Sequence, residues 1–277
     1  MQGLDWQRKK WGRIASTVLR LGERAAVALP NCTMVVSREL EKHYKEAGAK
    51  TLYVPNGGLL RERSVPRQII DGGLQPGNYL LFLGRFSPEK GCHLLIEAYE
   101  QLQTDATLVM AGASSYCDDY SRQLRDHASE RIKILDWVSG EALDELLTNA
   151  MLFVLPSDLE GLSLALLDAM GAGLCVLASD VAENREAIGD AGFVFRRGDA
   201  ADLAKRLRFL IANPAVREAA GRAAKRRVRN HYQWSMVAAE VERVYCETMG
   251  WEPAAMPSKK PSVSAALHAA EQQRKAG

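Results

Sequence analysis

Glu160-Gly161-Leu162-Ser163-Leu164-Ala165-Leu166-Leu167-Asp168-Ala169-Met170 follows the apolar run 151–155 and the turn Pro156-Ser157-Asp158. A buried strand therefore ends in a polar turn, and a helix opens at 161–163. One carboxylate, Glu160, stands just before that helix, and a second, Asp168, lies two turns into it. Unbonded N–H groups and the positive end of the dipole at a helix start favour a bound anion. The arrangement suits the phosphates of a nucleotide, with Asp168 left to take a hydroxyl. Asp is a poor helix former. Its place on an otherwise apolar helix (Leu162, Leu164, Leu166, Leu167, Met170) needs a reason, and a ligand hydroxyl is one. The plainer alternative makes both carboxylates dipole partners, worth roughly 0.3–1 kcal/mol each.

Outward from this helix the same rhythm repeats. Apolar strands are predicted at 79–83, 107–111, 132–135, 151–155, 174–178 and 193–195. They alternate with helical segments at 91–103, 116–129, 140–150, 162–172, 183–188 and 201–212. Short, nearly continuous apolar strands between helices imply an α/β fold, a Rossmann-like parallel sheet with helices on both faces. Ligands of such sheets bind beyond the carboxyl ends of the strands. Ahead of it lie a helix at 11–29 stopped by Pro30-Asn31, a strand at 32–36, and a helix at 38–47 capped by Ser37. Gly48 ends that helix, and a strand at 51–54 closes in Pro55-Asn56-Gly57-Gly58. The expected organisation is a first unit at 1–60, a linker at 61–78 rich in Arg, Gly and Pro, a second unit at 79–249, and a disordered tail at 250–277.

Composition sets the bounds. At 277 residues, 47% hydrophobic, 25% charged and net +2, the chain carries no basic excess that would mark nucleic acid as a partner. Five scattered cysteines without a C-x-x-C pair read as reduced thiols. Five histidines lack ligand spacing, so no metal is expected. No signal-peptide core opens the chain, and no run reaches the roughly 18 apolar residues of a membrane span. A cytoplasmic location is therefore expected. The late helix carries Arg217, Arg222, Lys225, Arg226, Arg227 and Arg229. A solvated helix face is the simple reading, and attraction to the anionic inner face of a membrane is the functional one. Arg8, Lys9 and Lys10 beside Trp6 and Trp11 permit the same reading. No aromatic platform for nucleic acid accompanies this charge.

The first strand of the sheet ends in Gly84-Arg85-Phe86-Ser87-Pro88-Glu89-Lys90-Gly91. Gly84 lets the backbone turn closely, and Arg85 and Lys90 flank a turn facing the same crevice as the 161–163 helix start. Two cations and a helix N-terminus suffice to bind and neutralise a diphosphate. A solvated turn, with Pro88 at a bend and Glu89 paired locally, is the alternative.

Taken together, these motifs resemble those of the family-four (group 1) retaining glycosyltransferases of the GT-B fold. The resemblance is carried by 84–91, by Pro156-Ser157 through Met170, and by Ser179-Asp180-Val181-Ala182-Glu183-Asn184-Arg185-Glu186. Val54-Pro55-Asn56-Gly57 is similar to that family's interdomain junction, and Gly3-Leu4-Asp5-Trp6-Gln7-Arg8 to the end of its acceptor domain. The resemblance implies a nucleotide-diphosphate sugar, with UDP or GDP as the nucleotide, held without a metal or other cofactor. It implies catalytic roles for Glu160, Arg85 and Lys90, with Arg85 and Lys90 on the diphosphate and Glu160 at the donor sugar. Gly84 and the backbone of Gly161, Leu162, Ser163 and Leu164 would complete the donor site, with Asp168 at the ribose and Val138 near the base. The acceptor would be a glycan or lipid-linked sugar, and transfer would retain anomeric configuration.

Three departures stand out: Asp168 where the family usually has Glu, Gln2 where close relatives tend to have His, and little of the acceptor domain. The expectation is thus a chain complete in its donor half and truncated in its acceptor half. The alternative is an inactive nucleotide-sugar-binding subunit that needs a partner. A nicotinamide oxidoreductase is disfavoured, because no G-x-G-x-x-G follows the first strand.

Overall fold

A computed structural model describes residues 12–114 and 118–251, together with Gly3 and Trp6. Expectations resting on Gln2, Lys9, Lys10, Trp11, most of the stretch 3–8 and the tail beyond Trp251 lie outside the described residues. The chain divides into two units, Met1–Val241 and Glu242–Gly277. The first holds everything discussed below except the end of the last helix, from Glu242 on.

Its elements begin with helix α1 (Arg13–Ala28), strand β1 (Thr33–Val35), helix α2 (Arg38–Glu46) and strand β2 (Thr51–Tyr53). A short helix α3 (Gln68–Asp71) leads to the main sheet. There the order is β3 (Tyr79–Leu83), α4 (Cys92–Glu100), β4 (Thr107–Ala111), α5 (Asp118–Asp126), β5 (Ile132–Leu135) and α6 (Gly140–Asn149). It continues with β6 (Leu152–Leu155), α7 (Leu164–Gly171), β7 (Val176–Ser179), α8 (Ala182–Ile188), β8 (Phe193–Phe195), α9 (Ala200–Ala212), α10 (Pro214–His231) and α11 (Trp234–Met249). The predicted α/β alternation holds throughout. Boundaries shift by a few residues where apolar character outruns the hydrogen-bonded ladder, as in the strand predicted at 174–178. The 162–172 helix begins at Leu164, because the Ser163 hydroxyl caps it by accepting the Leu166 N–H at 3.4 Å.

All strand pairs of the six-stranded sheet are parallel, in the order β5-β4-β3-β6-β7-β8. Every residue of β3 and β6 is buried, as central strands covered on both faces must be. Successive strands step outward from β3 on one side and from β6 on the other. The reversal of strand order therefore lies between β3 and β6, and the crevice beyond their carboxyl ends is where such a sheet takes a ligand. The loops there are 84–91 and 156–163.

β1 and β2 form a separate two-stranded parallel sheet. Beside it α1 buries no residue completely, and Ile14 (84% exposed), Val18 and Leu21 make an apolar stripe at helical spacing.

The stretch 61–78, expected as a linker, is instead docked on α6. The N–H groups of Arg67 and Ile69 donate to Glu145 Oε2 at 2.9 and 3.2 Å. The Ser64 N–H donates to Thr148 Oγ1 at 3.0 Å, and the Gly77 N–H to the Asn149 carbonyl at 2.7 Å. Ile69 and Leu74 are buried. The stretch reads as flexible because it is poor in apolar residues. It is ordered because α6 supplies polar side chains that satisfy its backbone.

The cations of α10 also need correction as a single solvated or membrane-facing row. Arg227 donates to the carbonyls of Ala187 and Glu186 at 2.7 and 2.8 Å, covering the last turn of α8. Arg217 does the same for α9, donating to the carbonyls of Leu210 and, at 2.8 Å, Ile211. The Lys225 ammonium donates to the Arg61 carbonyl at 2.5 Å. Unbonded carbonyls at a helix end attract cations, so Arg217 and Arg227 serve the fold, and Lys225 serves it by holding the 61–78 stretch. Arg222, Arg226 and Arg229 remain exposed. Among the described residues no helix is long and apolar enough to cross a membrane.

Arg227→Met should therefore destabilise the protein by about 1–3 kcal/mol in urea unfolding, since it leaves helix-end carbonyls unpaired. Arg226→Met, on the exposed side of the same helix, should stay within about 0.5 kcal/mol of the parent. Equal effects would show that the two cations are equivalent surface charges.

Candidate functional site

The site begins with two loops that touch. After β3 the chain passes Gly84 and Arg85, buries Phe86 and Ser87, makes a 3₁₀ turn at Pro88–Lys90, and enters α4 through Gly91. Gly91 has φ +67°, and a Cβ there would lie 2.2 Å from the Pro156 carbonyl oxygen. Only glycine allows so close an approach in that conformation. One residue pair along, the Asp158 N–H donates to the Glu89 carbonyl at 2.9 Å. On its far side the 156–160 turn is tied to β7, because the Ser179 hydroxyl donates to the Ser157 carbonyl at 2.5 Å. Asn184 in turn donates to Ser179 Oγ at 3.1 Å.

This docking brings Lys90 Nζ within 2.6 Å of Glu160 Oε1. The pair is largely withdrawn from water, with 14% of the Lys90 side chain and 6% of the Glu160 side chain exposed. It closes one wall of a cavity of about 400 Å³ at the strand-order reversal. Gly84, Arg85, Lys90, Glu160, Gly161, Leu162, Ser163 and Leu164, all expected at the site, line this cavity together. A phosphate placed there would meet the Arg85 and Lys90 cations and the start of α7.

Two expected residues are elsewhere. Val138 packs against the hydrophobic core, and its neighbour Trp137, 69% exposed, lines the cavity instead. Past the end of β5, Asp136 and Trp137 are both exposed, and the chain turns Val138 back against the core. Asp168 does not line the cavity. Its carboxylate meets the Arg61 guanidinium at 3.1 Å and accepts the Leu59 N–H at 3.1 Å. Asn56, to which the sequence alone assigns no role, is 8% exposed, lines the cavity and donates to the Leu162 carbonyl at 2.8 Å. Its only sequence signal is its place in the junction Val54-Pro55-Asn56-Gly57.

A second cavity of about 510 Å³ shares Leu159 and Glu160 with the first. Glu39 and His43 of α2, together with Asp158, Asp180, Glu183 and Arg197, complete its walls. Burial holds the Glu183 carboxyl above the usual range, reinforced by the negative charges of Glu39, Glu160 and Glu186. Glu160 thus divides a cavity bearing cations from one dominated by carboxylates. A substrate with an anionic end and a neutral hydroxylated end would match that asymmetry.

Residues 70–227 match the sequence model of the family described as glycosyl transferases group 1. The phosphatidyl-myo-inositol mannosyltransferase of Mycobacterium leprae is 32% identical over 211 residues, which cover 72% of this chain and 54% of that protein. Among solved structures, sucrose-phosphate synthase from Thermosynechococcus elongatus superimposes with a TM-score of 0.79 at 21% identity, over 89% of this chain and 65% of the other. Anabaena Alr3699/HepE in complex with UDP-glucose superimposes with a TM-score of 0.75 at 20% identity, over 83% and 68%. The chain thus spans about half of the mannosyltransferase's length. The family match takes in both loops of the smaller cavity, 84–91 and 156–163, and the whole six-stranded sheet that presents them. On that ground the chain belongs to the group 1 glycosyl transferases.

Proposed function

We propose that this chain holds the nucleotide-diphosphate-sugar donor of a glycosyl transfer that retains anomeric configuration. One observation carries the reading: Arg85, Lys90, Glu160 and the start of α7 converge on one cavity at the reversal of strand order. Loss of the nucleoside diphosphate leaves negative charge on its terminal phosphate as the sugar becomes oxocarbenium-like. Preorganised cations and backbone N–H groups stabilise that charge without a metal. Arg85 and Lys90 fill this role, and the 161–164 backbone adds donors.

Lys90 is held in place by Glu160, so its ammonium is positioned before a phosphate arrives. Glu160, facing both cavities, is the carboxylate nearest the sugar. Trp137 offers a flat apolar face at the cavity rim for the base, and the base is that of UDP or GDP. The fold similarity to a structure holding UDP-glucose supports this reading. The acceptor is a glycan or a lipid-linked sugar, and it meets the donor on the carboxylate-rich side of Glu160. The exposed cations of α10 are available for peripheral contact with an anionic membrane.

Thermal unfolding with UDP, GDP, ADP and NAD tests the donor class. At 100 times its dissociation constant the correct nucleoside diphosphate should add about 2.7 kcal/mol of stability. A response to NAD alone, or to none of the four, would overturn the reading. Lys90→Ala should lower turnover of the nucleotide sugar, read as released nucleoside diphosphate, by roughly 10²–10³. Unchanged turnover with only a weaker donor KM would remove Lys90 from the bond-breaking step.

A further inference from the structure

We propose that Asn184 is a positioning residue of the donor site: through the Ser179 hydroxyl it holds the 156–160 turn, and with it Glu160 and the start of α7. The inference rests on the donor-site reading above. It gives a role to 179–186, a stretch of family motif that does not line the donor cavity.

A tie is needed where the sheet stops. β6 and β7 pair in register from Phe153 with Val176 to Leu155 with Ala178, and past Leu155 their ladder ends. Ser179, one residue beyond the last position paired with β6, continues the connection with its side chain. Its hydroxyl donates to the Ser157 carbonyl at 2.5 Å. From α8 the Asn184 amide donates to Ser179 Oγ at 3.1 Å and to the Ser179 carbonyl at 3.2 Å. A hydroxyl carries one proton and accepts through its lone pairs. With Asn184 donating to its oxygen, the Ser179 hydroxyl is turned so that its proton goes to Ser157. Ser157 and Ser179 are fully buried and Asn184 is 1% exposed, so bulk water does not compete for these bonds.

Asn is a poor helix former, and a buried one inside the seven-residue α8 needs a reason. Stability is a weak one, because water offers the unfolded chain the same hydrogen bonds. Direction is the better one: an apolar side chain in its place would leave the Ser179 hydroxyl free to rotate away from the turn. The other tie from this side is slight. Arg197, at the surface, reaches the Asp158 carbonyl at 3.4 Å, a long and exposed contact. Asn184 itself lines neither cavity, so any effect it has on a ligand passes through the turn. Three residues past Ser157 stands Glu160, 2.6 Å from Lys90, and the 161–164 backbone follows at once. A turn released from β7 would therefore carry the carboxylate and the phosphate-facing N–H groups out of place together.

The test uses calorimetric binding of UDP and GDP and of UMP and GMP, which lack the terminal phosphate, at a temperature where every variant is folded. Asn184→Ala and Ser179→Ala should each weaken the better-bound diphosphate by about tenfold, the effect of roughly one hydrogen bond to a charged group. The matching monophosphate should stay near its wild-type affinity. The double variant should be no worse than either single one, because both break the same chain of bonds. Asn149→Ala is the comparator. It too removes a buried amide that donates to backbone carbonyls, those of Ser64 and Glu145, but beside the opposite end of β6. It should lower the thermal midpoint and leave diphosphate affinity unchanged. If Asn184→Ala does not fold, Ser179→Ala, which removes a single oxygen, carries the test. Equal weakening of diphosphate and monophosphate, or a loss in Asn149→Ala matching that of the other two, would make the buried bonds part of the fold only and overturn the proposal. Wild-type diphosphate affinity in both single variants would overturn it as well. A wild type that binds neither diphosphate, a different pattern from these, overturns the donor reading and this inference together.

Discussion

The parallel pairing of Tyr79–Leu83 with Leu152–Leu155 is the constraint on which the rest depends. It joins Leu80 to Leu152 and Leu81 to Phe153 across most of the sheet's sequence. Two strands buried on both faces can be neighbours only if their backbones satisfy one another. Once they do, the loops that follow them must leave the sheet side by side. Gly91 against the Pro156 carbonyl and Asp158 against the Glu89 carbonyl are consequences of that forced proximity. Lys90 and Glu160, seventy positions apart, meet because the sheet brings them there.

That meeting gives the site its electrostatic character. An ion pair withdrawn from water gains little net stability, because desolvation of both charges opposes their attraction. What it provides is placement: a cation aimed along one cavity and a carboxylate shared with the next. The charged residues beyond Glu160 on the second side are mostly acidic, and Glu183 is held toward its neutral form by burial and by its neighbours. A diphosphate in the proposed donor role would be attracted from one direction and repelled from the other. Such a gradient would orient a long substrate before any specific contact is made.

Much of the polar sequence outside the site has a structural role of the same kind. Glu145, fully buried, exists to accept two N–H groups from 67–69, and Arg217 and Arg227 exist to cover helix ends. Polar residues on a helix pattern look solvated because periodicity records only which face is apolar. A side chain long enough to reach an adjacent element's backbone leaves the same trace as one that points into water. For this reason a docked segment resembles a linker, and cations bound to neighbouring carbonyls resemble a basic patch.

The sequence by itself determined the alternation of strands and helices, the parallel sheet, and the two loops that carry Arg85, Lys90 and Glu160. Each of these is written in local periodicity and turn chemistry, and in motifs confined to a dozen residues. It could not determine the partner of Asp168, the exchange of Val138 for Trp137, or the part played by Asn56. Those depend on which backbone lies behind a helix and which way the loop after β5 turns. Arg61 and Asp168 are more than a hundred positions apart, and no periodicity links them. Only tertiary packing, by burying a guanidinium that must then be neutralised, decided that Asp168 meets Arg61.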